Sequence, residues 1–139
     1  MGEISINIEL ENAEDRAVSK RGYLKESEIR TYSTNAIVDT GAVMLLLPQN
    51  VVKKLGLDQQ RTVIVSYADD RKEERPVAGP LTIKIGDRFM NTDCIVGPPL
   101  CEALVGQVIL EELDLLADCT NHKLIPRPES PDFPLLKLK

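Results

Sequence analysis

Alternation of apolar and polar residues with a period of two dominates the chain. Ile4, Ile6, Ile8 and Leu10 alternate with polar residues, which predicts a half-buried strand. The alternation lapses over residues 12–25, a charged stretch containing Lys20-Arg21-Gly22, where a loop with at most one helical turn is expected. Strand character returns over residues 28–38 and ends in the apolar Ala36-Ile37-Val38. Residues 62–67 predict a further strand. Leu81-Thr82-Ile83-Lys84-Ile85 predicts another, and the turn dipeptide Gly86-Asp87 leads into a return strand over 89–96. A short helix starts after Pro48, buries Val51, Val52 and Leu55, and stops at Gly56; a second is expected over 107–113. The chain then carries Pro126, Pro128, Pro131 and Pro134 before Leu135-Leu136-Lys137-Leu138-Lys139, so its end reads as an extended arm rather than a helix. The pattern is that of a mainly β domain with one or two short helices.

Length and composition narrow the function. With 139 residues the chain is sized for one domain spanning 1–139, its core at about 29–126 and its extended arm at 127–139. Hydrophobic residues at 42% and charged residues at 28% exclude a disordered chain. The longest apolar run, Ala42-Val43-Met44-Leu45-Leu46-Leu47, has six residues, far from the roughly 20 of a membrane span, so no membrane partner is expected. A net charge of −5 argues against a nucleic-acid partner, which would call for a basic surface. The start, Met1-Gly2-Glu3-Ile4-Ser5, has neither the basic nor the apolar part of a secretory leader. Cys94, Cys101 and Cys119 are odd in number and lack C-x-x-C spacing, so they read as reduced thiols in a cytoplasmic protein.

Histidine and metal chemistry find little to work with. The single histidine, His122, lies in the polar stretch Cys119-Thr120-Asn121-His122-Lys123, which reads as a turn. Cys119, His122 and Cys101 offer one C-x-x-H spacing where zinc sites usually show paired close spacings, so no metal is expected. Seven consecutive charged residues, Asp69-Asp70-Arg71-Lys72-Glu73-Glu74-Arg75, read first as a solvated loop tip.

Asp39 is the residue that calls for an explanation. It follows Ala36-Ile37-Val38 and precedes Thr40-Gly41-Ala42, with apolar residues resuming at Val43. A carboxylate at the end of a buried strand is costly unless it is hydrogen bonded or placed for a task. Gly41 lets the chain turn tightly enough for backbone N–H groups to face it. A turn aspartate serving only its own local bonds fits the motif as well. A short internal repeat adds weight: Ala36 and Ala103 each open an apolar strand end, a small-residue turn and then a helix, 67 residues apart, which places Gly106 as the counterpart of the Asp39 turn.

Taken together, Val38-Asp39-Thr40-Gly41-Ala42, the later Leu104-Val105-Gly106 and the hairpin between them resemble the retropepsin-like aspartic proteases, most of all their small cellular and bacterial relatives, over roughly residues 29–126. The resemblance implies a closed β-barrel-like fold with two ψ-shaped loops, half an active site per chain, a homodimer, a peptide or protein substrate and no cofactor. It implies that Asp39 is catalytic and that Thr40 locks the two active-site loops together across the dimer. Gly41 and Ala42 would line the substrate, and Leu104, Val105 and Gly106 would form the second ψ-loop supporting Asp39. Residues 67–77 would be the flap, with Tyr67, Ala68, Asp69, Asp70 and Arg71 leading into and across its tip. Residues 123–126 would form a late strand, and the arm would pair at the dimer interface.

The chain departs from the family pattern in three places. No glycine lies between Ala68 and Ala78, Gln107 stands where viral members carry a charged residue, and Val43 and Met44 replace polar residues after the Asp-Thr-Gly-Ala. Two functions follow as expectations. One is an aspartic endopeptidase working through two Asp39 carboxylates on a twofold axis. The other is a dimeric binding module of the same fold without efficient turnover.

Overall fold

The computed structural model describes residues 3–138; Met1, Gly2 and Lys139, at the ends of the expected 1–139 domain, lie outside the described residues. Strand β1 (Ser5–Asn12) turns Ile8 and Leu10 inward, as its alternation dictates. Helix α1 (Ala13–Lys20) follows, then a 3-10 turn at Glu26–Glu28 and β2 (Thr31–Val38). Next come β3 (Leu45–Pro48), α2 (Gln49–Leu55), β4 (Asp58–Ser66), β5 (Lys72–Ile85) and β6 (Arg88–Gly97). The chain ends with β7 (Ala103–Val105), α3 (Gln107–Leu113), β8 (Leu115–Asp118) and β9 (Lys123–Pro126), after which residues 127–138 run without strand pairing.

Six strands close into a barrel in the order β1-β2-β7-β3-β6-β5, with β5 returning to pair with β1. β4 hangs outside on the first half of β5 and makes the long hairpin. The barrel is filled by Ile8, Leu10, Leu45, Leu47, Leu81, Ile83 and Val105, all buried. No residue of β3 is exposed, Leu45 and Leu47 being buried and Leu46 half-buried, so both of its faces are covered, which explains why its sequence is uniformly apolar rather than alternating. α2 adds Val51, Val52 and Leu55 to the core and stops at Gly56, whose φ of +64° ends the helix in the left-handed conformation.

The order of the central strands carries the fold. β2 and β3 are consecutive in the chain, yet β7 sits between them; β6 and β7 are likewise consecutive, yet β3 sits between those. Two ψ-shaped loops therefore interlock, each threaded by a strand of the other. This corrects the register of the sequence repeat. The repeating unit is β2–β3–α2 against β6–β7–α3, so the counterpart of the Asp39 loop is the loop at 98–102, and Gly106 is not the equivalent of Asp39.

The segment expected to be mostly loop holds instead the two-turn helix α1. Its periodicity is poor because its fixing contacts are polar. Asn12 Oδ1 accepts the Asp15 N–H at 3.0 Å to cap α1, while its amide donates to the Leu55 carbonyl at 2.8 Å and so also closes the end of α2. Buried Asp15 then takes a bidentate pair from Arg30, at 2.9 Å to each oxygen. Among the described residues there are thus three short α-helices.

The start of the arm is fastened through a buried polar cluster. Arg88 Nη1 donates to the carbonyls of Leu113 and Asp114, both at 2.9 Å, and its Nη2 donates to the Ser130 carbonyl. The Asp114 carboxylate accepts from the Ser130 hydroxyl and from the Leu135 N–H at 2.9 Å. Beyond that anchor Leu136 and Leu138 are exposed. His122, with φ of +54°, is exposed in the turn between β8 and β9.

Candidate active site

β2 delivers Asp39 to the mouth of the first ψ-loop. The β2–β7 ladder runs through Val38↔Val105 and extends one step further, because the Asp39 N–H donates to the Val105 carbonyl at 3.0 Å. The main chain at Asp39 is thus pinned by a strand that arrives 66 residues later. The half-buried carboxylate accepts the Gly41 N–H on Oδ1 at 3.0 Å, and the Ala42 N–H closes the turn on the Asp39 carbonyl at 3.1 Å. The second carboxylate oxygen has no protein donor among the described residues. Thr40 and Gly41 are exposed at the crest of the loop, and Ala42 is half-buried.

Gly106 supports the loop from below. A Cβ built on it would stand 2.6 Å from the Met44 carbonyl oxygen and 2.8 Å from that of Ala42, both main-chain atoms. Its φ of −91° is ordinary, so the glycine is required by space and not by backbone conformation. The start of α3 continues the contact: the Gln107 N–H donates to the Ala42 carbonyl at 2.8 Å and the Val108 N–H to the Val43 carbonyl at 3.1 Å. Leu104 is half-buried and Val105 fully buried in β7. The structure therefore brings Asp39, Thr40, Gly41 and Ala42 together with Val105 and Gly106. Met44, whose carbonyl confines Gly106, carries no signal in sequence because its contribution is main chain.

Among the described residues no hydrogen bond joins the hairpin tip to this loop. Tyr67 to Arg71 form a closed turn, with the Tyr67 N–H on the Arg71 carbonyl at 2.8 Å and the Asp70 N–H on the Tyr67 carbonyl at 3.0 Å. Asp70 takes the φ of +67° that a glycine would otherwise supply. Asp69 pairs with Arg71 at 2.8 Å. The charge run is therefore internally paired at several points, and Glu73 and Arg75, passed over in the sequence as part of a solvated tip, make specific bonds.

A concavity of about 740 Å3 opens on the barrel wall between α1, β1, β2, β5 and β6, and it does not include Asp39. Burial pushes the Cys94 thiol up to about 12, which makes it an inert core residue. Among the described residues, no three His, Cys, Asp or Glu side chains converge to hold a metal ion, and no helix is long and apolar enough to cross a membrane.

Comparison with known proteins agrees with this geometry. A comparison with curated proteins finds no match. Among solved structures the chain is similar to a retropepsin-like aspartic protease from Rickettsia conorii, with 22% identity over 84% of this chain and 77% of that one, at a TM-score of 0.52. That likeness bears on the fold. The family model for aspartyl proteases matches residues 26–112, which takes in the Asp39 loop, the hairpin and β7 through most of α3. The chain belongs to the aspartyl protease family and has the retropepsin-like fold.

Proposed function

We propose that this chain is an aspartic endopeptidase that works as a homodimer, with Asp39 of each copy meeting on the twofold axis. The observation that carries the reading is the Asp39 carboxylate itself: one oxygen is held by the Gly41 N–H and the other is open, at the crest of a ψ-loop in an aspartyl protease domain. One chain offers a single such carboxylate, since the equivalent loop at 98–102 begins with Pro98. A symmetric pair supplies two, because the same loop faces its own copy.

The chemistry follows from the pairing. Two carboxylates about 3 Å apart cannot both ionise cheaply, so the pair holds one proton between them. The ionised member takes a proton from a bound water, whose oxygen attacks the scissile carbonyl carbon. The protonated member donates to the carbonyl oxygen, and a proton passes to the leaving amine as the C–N bond breaks. Thr40, exposed beside Asp39, is the group to bond across the axis. Support for a partner copy comes from apolar side chains left in water: Val43 beside the active loop, Leu116 on β8, and Leu135, Leu136 and Leu138 on the arm. The unpaired edge of the two-stranded β8–β9 sheet adds to it.

A second reading, a dimeric binding module without turnover, draws on the charged, glycine-free hairpin tip, which is poorly suited to closing over an apolar peptide. One experiment separates the two. The purified chain is assayed against unstructured peptide pools between pH 4 and 7, beside Asp39→Asn, which keeps the shape of the side chain and removes its acid–base capacity. Cleavage by the parent and none by a variant with the same melting curve supports the endopeptidase. Equal cleavage by both removes Asp39 from the mechanism, and peptide binding without cleavage by either selects the binding module.

A further inference from the structure

A continuous chain of polar contacts ties the hairpin tip to the barrel wall. Tyr67 Oη donates to Glu73 Oε1 at 3.0 Å, and Arg75 Nη1 donates to the same oxygen at 3.4 Å. Arg75 Nε then donates to the Val96 carbonyl of β6 at 2.9 Å. At the outer end the Arg71 guanidinium lies 4.9 Å from the centre of the Tyr67 ring while bonding Asp69. The register explains how they meet. Val65 is opposite Glu73 and Val63 is opposite Arg75, so these four share one face of the hairpin, where Val63, Val65 and Arg75 are half-buried. Ile64, Ser66, Lys72 and Glu74 occupy the other face and are exposed.

Arg75 stands where the hairpin leaves the barrel. The β5–β6 ladder starts at Val77↔Ile95, and the residue before it, Pro76, has no N–H to give. The guanidinium of Arg75 supplies the Val96 carbonyl with a donor at that point. A two-stranded hairpin is at best marginally stable by itself in water, and a tip of charged residues buries little. With Asp70 where a glycine would sit, the turn has less backbone freedom, and its position is set by its stem.

We propose that Glu73 and Arg75 are positioning residues that hold the hairpin tip for substrate, Glu73 by joining Tyr67 to Arg75 and Arg75 by anchoring both to the Val96 carbonyl. The proposal rests on the peptidase reading above, in which this hairpin is the flap. The bonds are charge-assisted but partly solvated, with Arg75 21% and Glu73 47% exposed, so the effect is severalfold rather than thousandfold.

The test uses the full chain with Glu73→Ala, Glu73→Gln, Arg75→Met and the opposite-face control Glu74→Ala. Amide hydrogen exchange is followed at Tyr67 and Asp70, with residues 81–85 as an internal barrel reference, and KM and kcat are measured on a cleaved peptide. Glu73→Ala and Arg75→Met are expected to speed exchange at the tip by about three- to tenfold and to raise KM by a similar factor, with kcat within about twofold. Glu73→Gln keeps an acceptor for both donors and should stay within about twofold of the parent, and Glu74→Ala should leave exchange at the tip unchanged. Unchanged exchange at the tip overturns the tether, as does an equal effect of Glu74→Ala. A fall in kcat with KM unchanged overturns the positioning role. Exchange is measured whether or not the chain cleaves peptides, so failure of the peptidase reading and failure of the tether give different results.

Discussion

Gly106 lies directly beneath Met44: a single added carbon would come within 2.6 Å of the Met44 carbonyl oxygen. The atoms it would strike belong to the main chain of the Asp39 loop, which cannot swing aside as a side chain can. Gly106→Ala should therefore cost about 2–3 kcal/mol in denaturant unfolding, the scale of overpacking in a tight interior, and displace the Asp39 turn. Gly22→Ala is the contrast. That site is open but has φ of +85°, so its cost should be only about 1 kcal/mol, from conformation alone. Equal losses at the two sites would mean that Gly106 is not a spacer.

Asp70 tests the opposite case. Its φ of +67° is one that glycine adopts freely, and its N–H, which closes the turn on Tyr67, would be kept by glycine. Asp70→Gly should shift stability by less than about 1 kcal/mol, because relief of strain offsets the greater freedom of the unfolded chain. Thermal melts of parent and variant side by side check this; a large loss would assign Asp70 a contact of its own.

Assembly predicts a concentration dependence. If Asp39 needs its copy, specific activity falls on dilution below the dimer dissociation constant, and Thr40→Val raises that constant without touching the acid. Sedimentation and activity measured on the same dilution series make the comparison. Full specific activity in a sample shown to be monomeric would rule out the shared site.

Acid should loosen the arm. The Ser130 hydroxyl and the Leu135 N–H hold the Asp114 carboxyl below its ordinary value, and the Arg30 side chain does the same for Asp15. A carboxyl depressed on folding adds stability that is present above its unfolded value of about 4 and is lost as pH falls through the folded one. The gap in melting temperature between the parent and Asp114→Asn should thus be widest above about pH 5 and shrink below about pH 4. Asparagine tolerates the φ of +56° at this position, so the comparison isolates charge. Limited proteolysis within residues 127–135 should quicken in the variant at neutral pH. A gap that does not narrow in acid would detach Asp114 from the effect.

Much of the barrel was legible because its strands bury one face and its helices bury a stripe. Ile8 and Leu10 in β1, Leu81 and Ile83 in β5, and Val51, Val52 and Leu55 in α2 all announce themselves by spacing. The loop around Asp39 was legible from Gly41 and from the apolar run leading to Val38. α1 was not, because Asn12, Asp15 and Arg30 fix it through bonds to distant segments that leave no periodic trace. The repeat was legible only as an approximate echo. Its true units, β2–β3–α2 and β6–β7–α3, share a path through space and little sequence, and Gly106 matched Asp39 only by following an apolar strand end. The polar contacts of Glu73 and Arg75 were hidden in a charge run, where the sequence alone does not separate a paired side chain from a solvated one.

β7 is the last strand of the barrel to be synthesised, yet it occupies the slot between β2 and β3. Until residues 103–106 leave the ribosome, β2 and β3 have no strand between them, the Asp39 N–H has no Val105 carbonyl to bond, and nothing lies beneath Met44. Contacts that span so much chain form slowly, since the intervening loop must close before any of them forms. A nascent chain or a truncation ending before Ala103 carries the Asp-Thr-Gly but lacks its platform. Placement of the acid thus waits on the final barrel strand, which enters a gap framed by two strands made long before it.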